Sequence, residues 1–143
     1  MEKRLEKIII DLIKKKVYIE FLVGRDGEFD QLASSTIRRV AKRLEYNNTA
    51  LVLVLPYMRA EYRDNEESYL KYYDEVEICE ESASAYPTSA FRIRNRAMVN
   101  RSDLVICYVE HNSGGAYSTI QYAKRSGIQI LNIADDDVYK TGE

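Results

Sequence analysis

The spacing of apolar positions changes several times along this chain, and each change marks an element. Leu5, Ile8, Ile9, Leu12 and Ile13 recur at i, i+3, i+4, i+7 and i+8, the spacing of one helix face. Lys14 to Lys16 follow at the end where cations suit the helix dipole. Val17 to Val23 is rich in β-branched and aromatic residues and predicts a strand. It stops at Gly24-Arg25-Asp26-Gly27-Glu28-Phe29-Asp30. A second helix is expected from about Asp30, as its N-cap, to Leu44, with Phe29, Ala33, Ile37, Val40, Ala41 and Leu44 on its apolar side. Asn47-Asn48 is expected to break it.

Leu51 to Leu55 is an unbroken apolar run, the mark of a strand covered on both faces of a parallel sheet. Pro56-Tyr57 ends it. The stretch to about Asp74 is highly charged and rich in tyrosine (57, 62, 69, 72 and 73), with a helix expected from Glu66 to Tyr73. Glu75 to Cys79 reads as a short edge strand. Thr88 or Ser89 is the expected cap of a helix running to about Asn100. Leu104 to Val109 reads as a strand and Gly115 to Arg125 as a helix. Gly127 suits the position just past that helix, and Ile128 to Ile133 closes as a last strand.

Strands and helices alternate throughout, so the expected fold is α/β: three layers, Rossmann-like, with a mostly parallel sheet. Residues 1–134 are expected as one domain and 135–143 as a loose polar tail. The sequence shows no internal repeat and no low-complexity segment. Ligands of such sheets sit at the carboxyl ends of the strands. Three segments converge there: 24–30, Pro56-Tyr57 and 110–119.

Composition narrows the chemistry. The chain has 143 residues, is 45% hydrophobic and 31% charged, and carries a formal charge of −2. It lacks the basic field of a non-specific nucleic-acid binder, so a nucleic-acid partner is not expected. No apolar run approaches the ~18–20 residues that span a bilayer, and no membrane partner is expected. No signal peptide is read at the N-terminus, and a cytoplasmic location is expected. Cys79 and Cys107 make no metal-ligand spacing and there is one histidine, so neither a metal nor a cofactor is expected.

The strongest candidate chemistry is the turn after the strand at 104–109. Ser113, Gly114, Gly115 and Ala116 open a helix there, with Ser118 and Thr119 close behind. A helix start offers free N–H groups and the positive dipole end, and adjacent glycines admit close approach, so a phosphate fits. The alternative is a tight strand-to-helix connection with no ligand. Arg94 falls near the middle of the apolar face made by Ala90, Phe91, Ile93, Ala97 and Met98, with Arg101 almost in line, while Arg92 and Arg96 point to solvent. An arginine aimed at a core needs an anion: either an internal partner such as Asp103 or Glu28, or a ligand phosphate or carboxylate. Glu28 and Asp30 could accept from sugar hydroxyls and Arg25 could add a phosphate contact, or 24–30 is a loop with an N-cap. The tyrosines could stack a base, or pack a lid or an interface. His111 lacks a defensible catalytic partner, and Glu110 is a candidate acid or base or a solvated loop residue.

Several of these pieces together resemble the YpsA-like branch of the SLOG superfamily, which includes DprA and the LOG enzymes. They are Phe21-Leu22-Val23-Gly24 with Gly27-Glu28-Phe29-Asp30, Leu53-Val54-Leu55-Pro56-Tyr57, Arg94 to Val99 with Ser102 to Ile106, and Ser113-Gly114-Gly115-Ala116 with Tyr122-Ala123. The resemblance spans roughly 17–133. It implies a Rossmann-like domain that binds a nucleotide-derived small molecule. It also places Arg94 where LOG enzymes keep a catalytic arginine, with Met98 and Asp103 in register. The LOG turn is followed by a catalytic glutamate, and 117–121 supplies none. YpsA-like proteins begin with a strand ending in Gly-His-Arg, and this chain opens on the helix that would follow it, so a central strand is expected to be missing or supplied by another subunit. The expected function is binding, for sensing or sequestering. The alternatives are N-glycosidic hydrolysis with Arg94, Glu28 and Glu110 as candidates and, behind that, single-stranded DNA binding. A homo-oligomer is expected from the aromatic-rich insertion.

Overall fold

The computed structural model describes residues 1–135, and the tail expected at 135–143 lies outside them but for its first residue. The elements run α1 (Glu2–Lys15), β1 (Ile19–Val23), α2 (Glu28–Leu44), β2 (Thr49–Leu55), α3 (Ala60–Asp64), α4 (Glu66–Tyr72), β3 (Glu75–Ile78), α5 (Pro87–Asn100), β4 (Leu104–Cys107), α6 (Gly115–Arg125) and β5 (Gln129–Asn132). This is the expected α/β alternation, and every strand pairing is parallel.

β2 lies between β1 and β3, and its alternation sorts the layers. Leu51, Leu53 and Leu55 face one side, packed with Leu5, Ile9 and Ile13 of α1, Ile37 and Val40 of α2, and Tyr62, Tyr69 and Tyr73. Ala50, Val52 and Val54 face the other side, against Leu22, Cys79 and the α5 residues Ala97 and Met98. The sheet is not continuous: β1-β2-β3 form one sheet and β4-β5 a second.

Several ends differ from expectation for local reasons. α2 starts two residues before Asp30, with Gly27 as N-cap, so Asp30 lies in its first turn rather than capping it. That helix ends at Glu45 in the left-handed region, ahead of Asn47-Asn48. Asn48 instead donates from Nδ2 to the carbonyls of Ile13 and Lys16, both at 2.9 Å, closing the end of α1. α5 starts at Pro87 with Tyr86 ahead of it, so neither Thr88 nor Ser89 caps it; proline suits a first helical position, where no N–H is needed. β4 ends at Cys107 because the side chain of Asn132 takes the backbone of Val109, accepting from its N–H at 3.0 Å and donating to its carbonyl at 2.9 Å. At the end of α6, Gly127 (φ 76°) donates to Lys124 and Ile128 to Ala123, the left-handed closure its position predicts.

Candidate functional site

The carboxyl ends of β1 and β2 bring one buried cluster together. Gly24 leaves β1 and is buried, and Asp30 turns back from α2 to accept from the N–H groups of Gly24 and Gly27. Arg94 reaches in from α5 with 6% of its surface exposed. It donates from Nη1 to the Val54 carbonyl at 2.7 Å and from Nε to Asn95 Oδ1 at 3.0 Å, with Phe91 5.3 Å beneath the guanidinium. The fit is close. A Cβ on Gly24 would lie 2.9 Å from Asp30 Oδ2 and 3.4 Å from Arg94 Nη1.

The electrostatics of the cluster are unusual. Burial pushes the Asp30 carboxyl above its ordinary range although Arg94 pulls it down. Burial likewise pulls the Arg94 guanidinium down although Asp30 supports it. For both groups, loss of water outweighs the attraction of the other charge, so burying the charged forms costs folding energy. Neither Asp103 nor Glu28 is Arg94's partner; among the described residues, no carboxylate comes within the 4.0 Å of an ion pair to it.

The second cluster is the start of α6, at the carboxyl end of β4. Gly114 is the N-cap at φ 96°, a conformation that favours glycine, and no side chain caps the helix. Nothing lies within 4 Å of a Cβ built on Gly114 or Gly115. The N–H groups of Gly115, Ala116 and Tyr117 therefore open to solvent by position in the first turn. Ser113, Gly114, Gly115, Ala116 and Ser118 are exposed. Thr119 is not part of a cradle: its hydroxyl donates to the Gly115 carbonyl at 3.0 Å, inside its own helix. Glu110 is exposed and takes the Tyr108 hydroxyl; His111 is exposed as well.

No family model and no curated protein matches this chain.

Other expected site residues face elsewhere. Arg25 donates to the Tyr73 hydroxyl and to Glu61, each at 3.1 Å, and lies 4.2 Å over the Tyr69 ring. It is occupied by the tyrosine cluster. Glu28 is exposed at the first position of α2. Pro56 is buried, and its carbonyl accepts from Ser82 Oγ at 2.6 Å. Tyr57 is half-buried, edge-on to Phe91 at 6.0 Å. Tyr62, Tyr69 and Tyr73 are core residues, which leaves them no face for a base. Arg101 pairs with Glu77 at 2.7 Å and Glu20 at 3.4 Å, away from Arg94. Arg96 is half-buried over the Tyr122 ring, not solvated.

Among the described residues, no hydrogen bond or ion pair joins Arg94 or Asp30 to the 113–119 turn. Two clefts of the surface have neither Arg94, Asp30 nor the 113–119 turn among their lining residues. One of about 700 Å3 lies between α2 and α4, lined by Arg38, Lys42, Thr49 and Tyr72 among others. One of about 420 Å3 lies against β3 and α5, lined by Glu77, Cys79, Met98 and Arg101 among others. Sequence reasoning missed Asn95 and the Asp26–Arg59 pair, in which Arg59 Nη1 reaches both carboxylate oxygens at 2.8 Å. Nothing in local spacing marks that pair, because its members are 33 residues apart.

Proposed function

We propose that this chain binds a phosphate-bearing, nucleotide-derived small molecule at the carboxyl edge of its strands, to sense or sequester it. Arg94 carries the reading. A buried guanidinium that meets a carbonyl and an amide, with no carboxylate at ion-pair distance, is a costly arrangement that an anionic ligand would repay. The uncapped start of α6, open at Gly114 and Gly115 after β4, is a second anion-favouring element. The resemblance to SLOG proteins names the ligand class. Binding is favoured over glycosidic hydrolysis because no carboxylate stands ready beside Arg94: Asp30 is committed to Gly24 and Gly27, and Glu28 and Glu110 face solvent.

The test is a thermal-shift panel of nucleoside monophosphates and ADP-ribose on the wild type and on Ala116→Asp. An aspartate in the first turn of α6 favours the helix dipole by roughly 0.3–1 kcal/mol, so the variant stays folded. It also repels a phosphate at the same N–H groups. A stabilising ligand in the wild type, weakened at least about tenfold in the variant, is expected, since 1.4 kcal/mol is one decade of affinity. No shift with any of these ligands, together with no small molecule released on heat denaturation, defeats the proposal. Release of free base during the incubation would instead select hydrolysis.

A further inference from the structure

The cleft of about 700 Å3 between α2 and α4 is lined by four cations, Arg38, Arg39, Lys42 and Lys71, and among the described residues by one carboxylate, Asp74. That is a local basic excess in a chain whose formal charge is −2. Thr49 opens β2 and Asp74 stands just ahead of β3, so the cleft sits at the amino ends of those strands. Arg94 meets Val54, near the carboxyl end of β2. At ~3.3 Å per residue, Thr49 and Val54 are roughly 17 Å apart along the strand.

The cations are not equally committed. Arg39 pairs with Glu2 at 3.6 Å and Glu6 at 3.5 Å, both on α1. Lys71 meets Glu67 at 3.5 Å, one turn back on its own helix with both side chains exposed, a contact worth little. Asp74 is engaged on the backbone, accepting from the Leu51 N–H at 2.7 Å. Arg38 and Lys42 have no carboxylate within 4.0 Å among the described residues. The guanidinium of Arg38 lies 4.2 Å over the Tyr72 ring, so α2 reaches across the cleft to α4. Guanidinium N–H groups lie in the plane of the fork, and those of Arg38 meet no acceptor among the described residues. The ring holds the fork in place and leaves its donors free. Lys42 follows one turn later on the same helix face. Lys42 and Lys71 stand in the last turns of their helices, where a cation also offsets the dipole. Arg38 stands before that turn, and the dipole does not account for it.

We propose that this cleft binds a small molecule through a chain of linked phosphates, with Arg38 as the fixed fork and Lys42 and Lys71 closing on the chain. A single exposed ion pair holds little, so a lone phosphate gains little here, whereas linked phosphates engage several cations at once. The volume is that of a small-molecule site. The chain belongs to an inorganic polyphosphate or to a nucleoside triphosphate, and both present the same chemistry to these side chains. The site is separate from the one built on Arg94, and loss of one leaves the other intact.

Titration of the full chain, followed by NMR amide shifts at fixed ionic strength, tests it. The probes are inorganic tripolyphosphate, ATP, orthophosphate and a thymidine oligonucleotide. The expected result is saturable binding of tripolyphosphate with shifts centred on 35–49 and 71–74, and orthophosphate at least about tenfold weaker. Arg38→Gln combined with Lys42→Gln should weaken tripolyphosphate at least about tenfold. Arg92→Gln combined with Lys124→Gln removes the same charge from exposed positions elsewhere and should change binding less than about twofold. Arg38 and Lys42 are exposed, and the spectrum of their double variant reports its fold directly. ATP binding equal to tripolyphosphate assigns the cleft to the phosphate chain alone; tighter ATP with added shifts at Tyr72 assigns it to a nucleoside triphosphate. Four results overturn the proposal: no saturation, equal losses in the two double variants, shifts centred on Arg94 or 113–119 instead, or an oligonucleotide that binds more tightly than tripolyphosphate.

Discussion

Gly24 shows how one missing side chain permits the inner cluster. Its φ is unremarkable; what it supplies is room for Asp30 and Arg94 to approach the backbone. Gly24→Ala is expected to cost about 1–3 kcal/mol, as overpacking does, read as a lower urea midpoint with an unchanged slope. Asp30 carries a second prediction. Its carboxyl lies above the usual range in the fold because burial disfavours the charge, so the folded chain holds that proton more tightly than the unfolded one. The stability from the protonated form is complete below the unfolded value and is lost as pH rises through the folded value. Wild type should therefore lose stability relative to Asp30→Asn over a window that opens near pH 4, the unfolded value, and closes at the raised folded value. A difference that stays flat across urea titrations in that window contradicts the burial argument. Neither residue's role was legible locally. Arg94 was, because a charge in the middle of an apolar helix face announces itself at 3.6 residues per turn. Its partners were not, since the Val54 carbonyl is 40 residues away.

At the scale of elements, the charged tyrosine-rich stretch is the clearest change of meaning. Its rings suggested a stacking surface or an interface, and α3 and α4 instead fold them inward. Tyr62 and Tyr69 lie 5.1 Å apart, Tyr69 and Tyr73 6.2 Å, and Arg25 closes over the group. Tyr62, Tyr69 and Tyr73 thus belong to the chain's own core, while Tyr57 and Tyr72 stay half-buried. Burial, aided by the bond to Glu61, pushes the Tyr69 hydroxyl up to about 12. Since an unfolded tyrosine ionises near 10, this raised value favours the fold below about pH 10, a contribution lost as pH rises toward 12. Tyr69→Phe should therefore show a shallower loss of stability over that interval in alkaline urea melts. An equally steep loss in the variant would show that Tyr69 is not the group responsible. A sequence pattern reports that a ring is aromatic and placed on a helix; which surface that helix meets depends on elements far along the chain.

Across the whole molecule the two sheets are unequal. β2 is buried from Ala50 to Leu55, while β5 is exposed at Gln129 and half-buried from Ile130 to Asn132. Free energies of local opening follow such burial. Amides of Val52 and Leu53 are expected to exchange only through global unfolding, and those of Ile130 and Leu131 through a smaller opening of the β4–β5 unit. Native-state exchange in rising denaturant distinguishes the two, and a single merged isotherm would mean the sheets open together. No helix among the described residues is long and apolar enough to cross a membrane.

What the sequence by itself determined is whatever repeats within a few residues. The 3.6-residue and continuous apolar patterns place α1, α2, α6 and β2, glycine chemistry places the start and end of α6, and strand–helix alternation gives the parallel α/β class. What only the tertiary structure decided is whatever depends on groups meeting from distant segments. Asp30 leaves its expected cap for the N–H groups of Gly24 and Gly27, Arg25 turns to tyrosines 44 and 48 residues away, and the strands divide into two sheets. Period and turn chemistry act along the chain, where sequence order is distance. Desolvation, close approach and strand pairing act through space, where it is not.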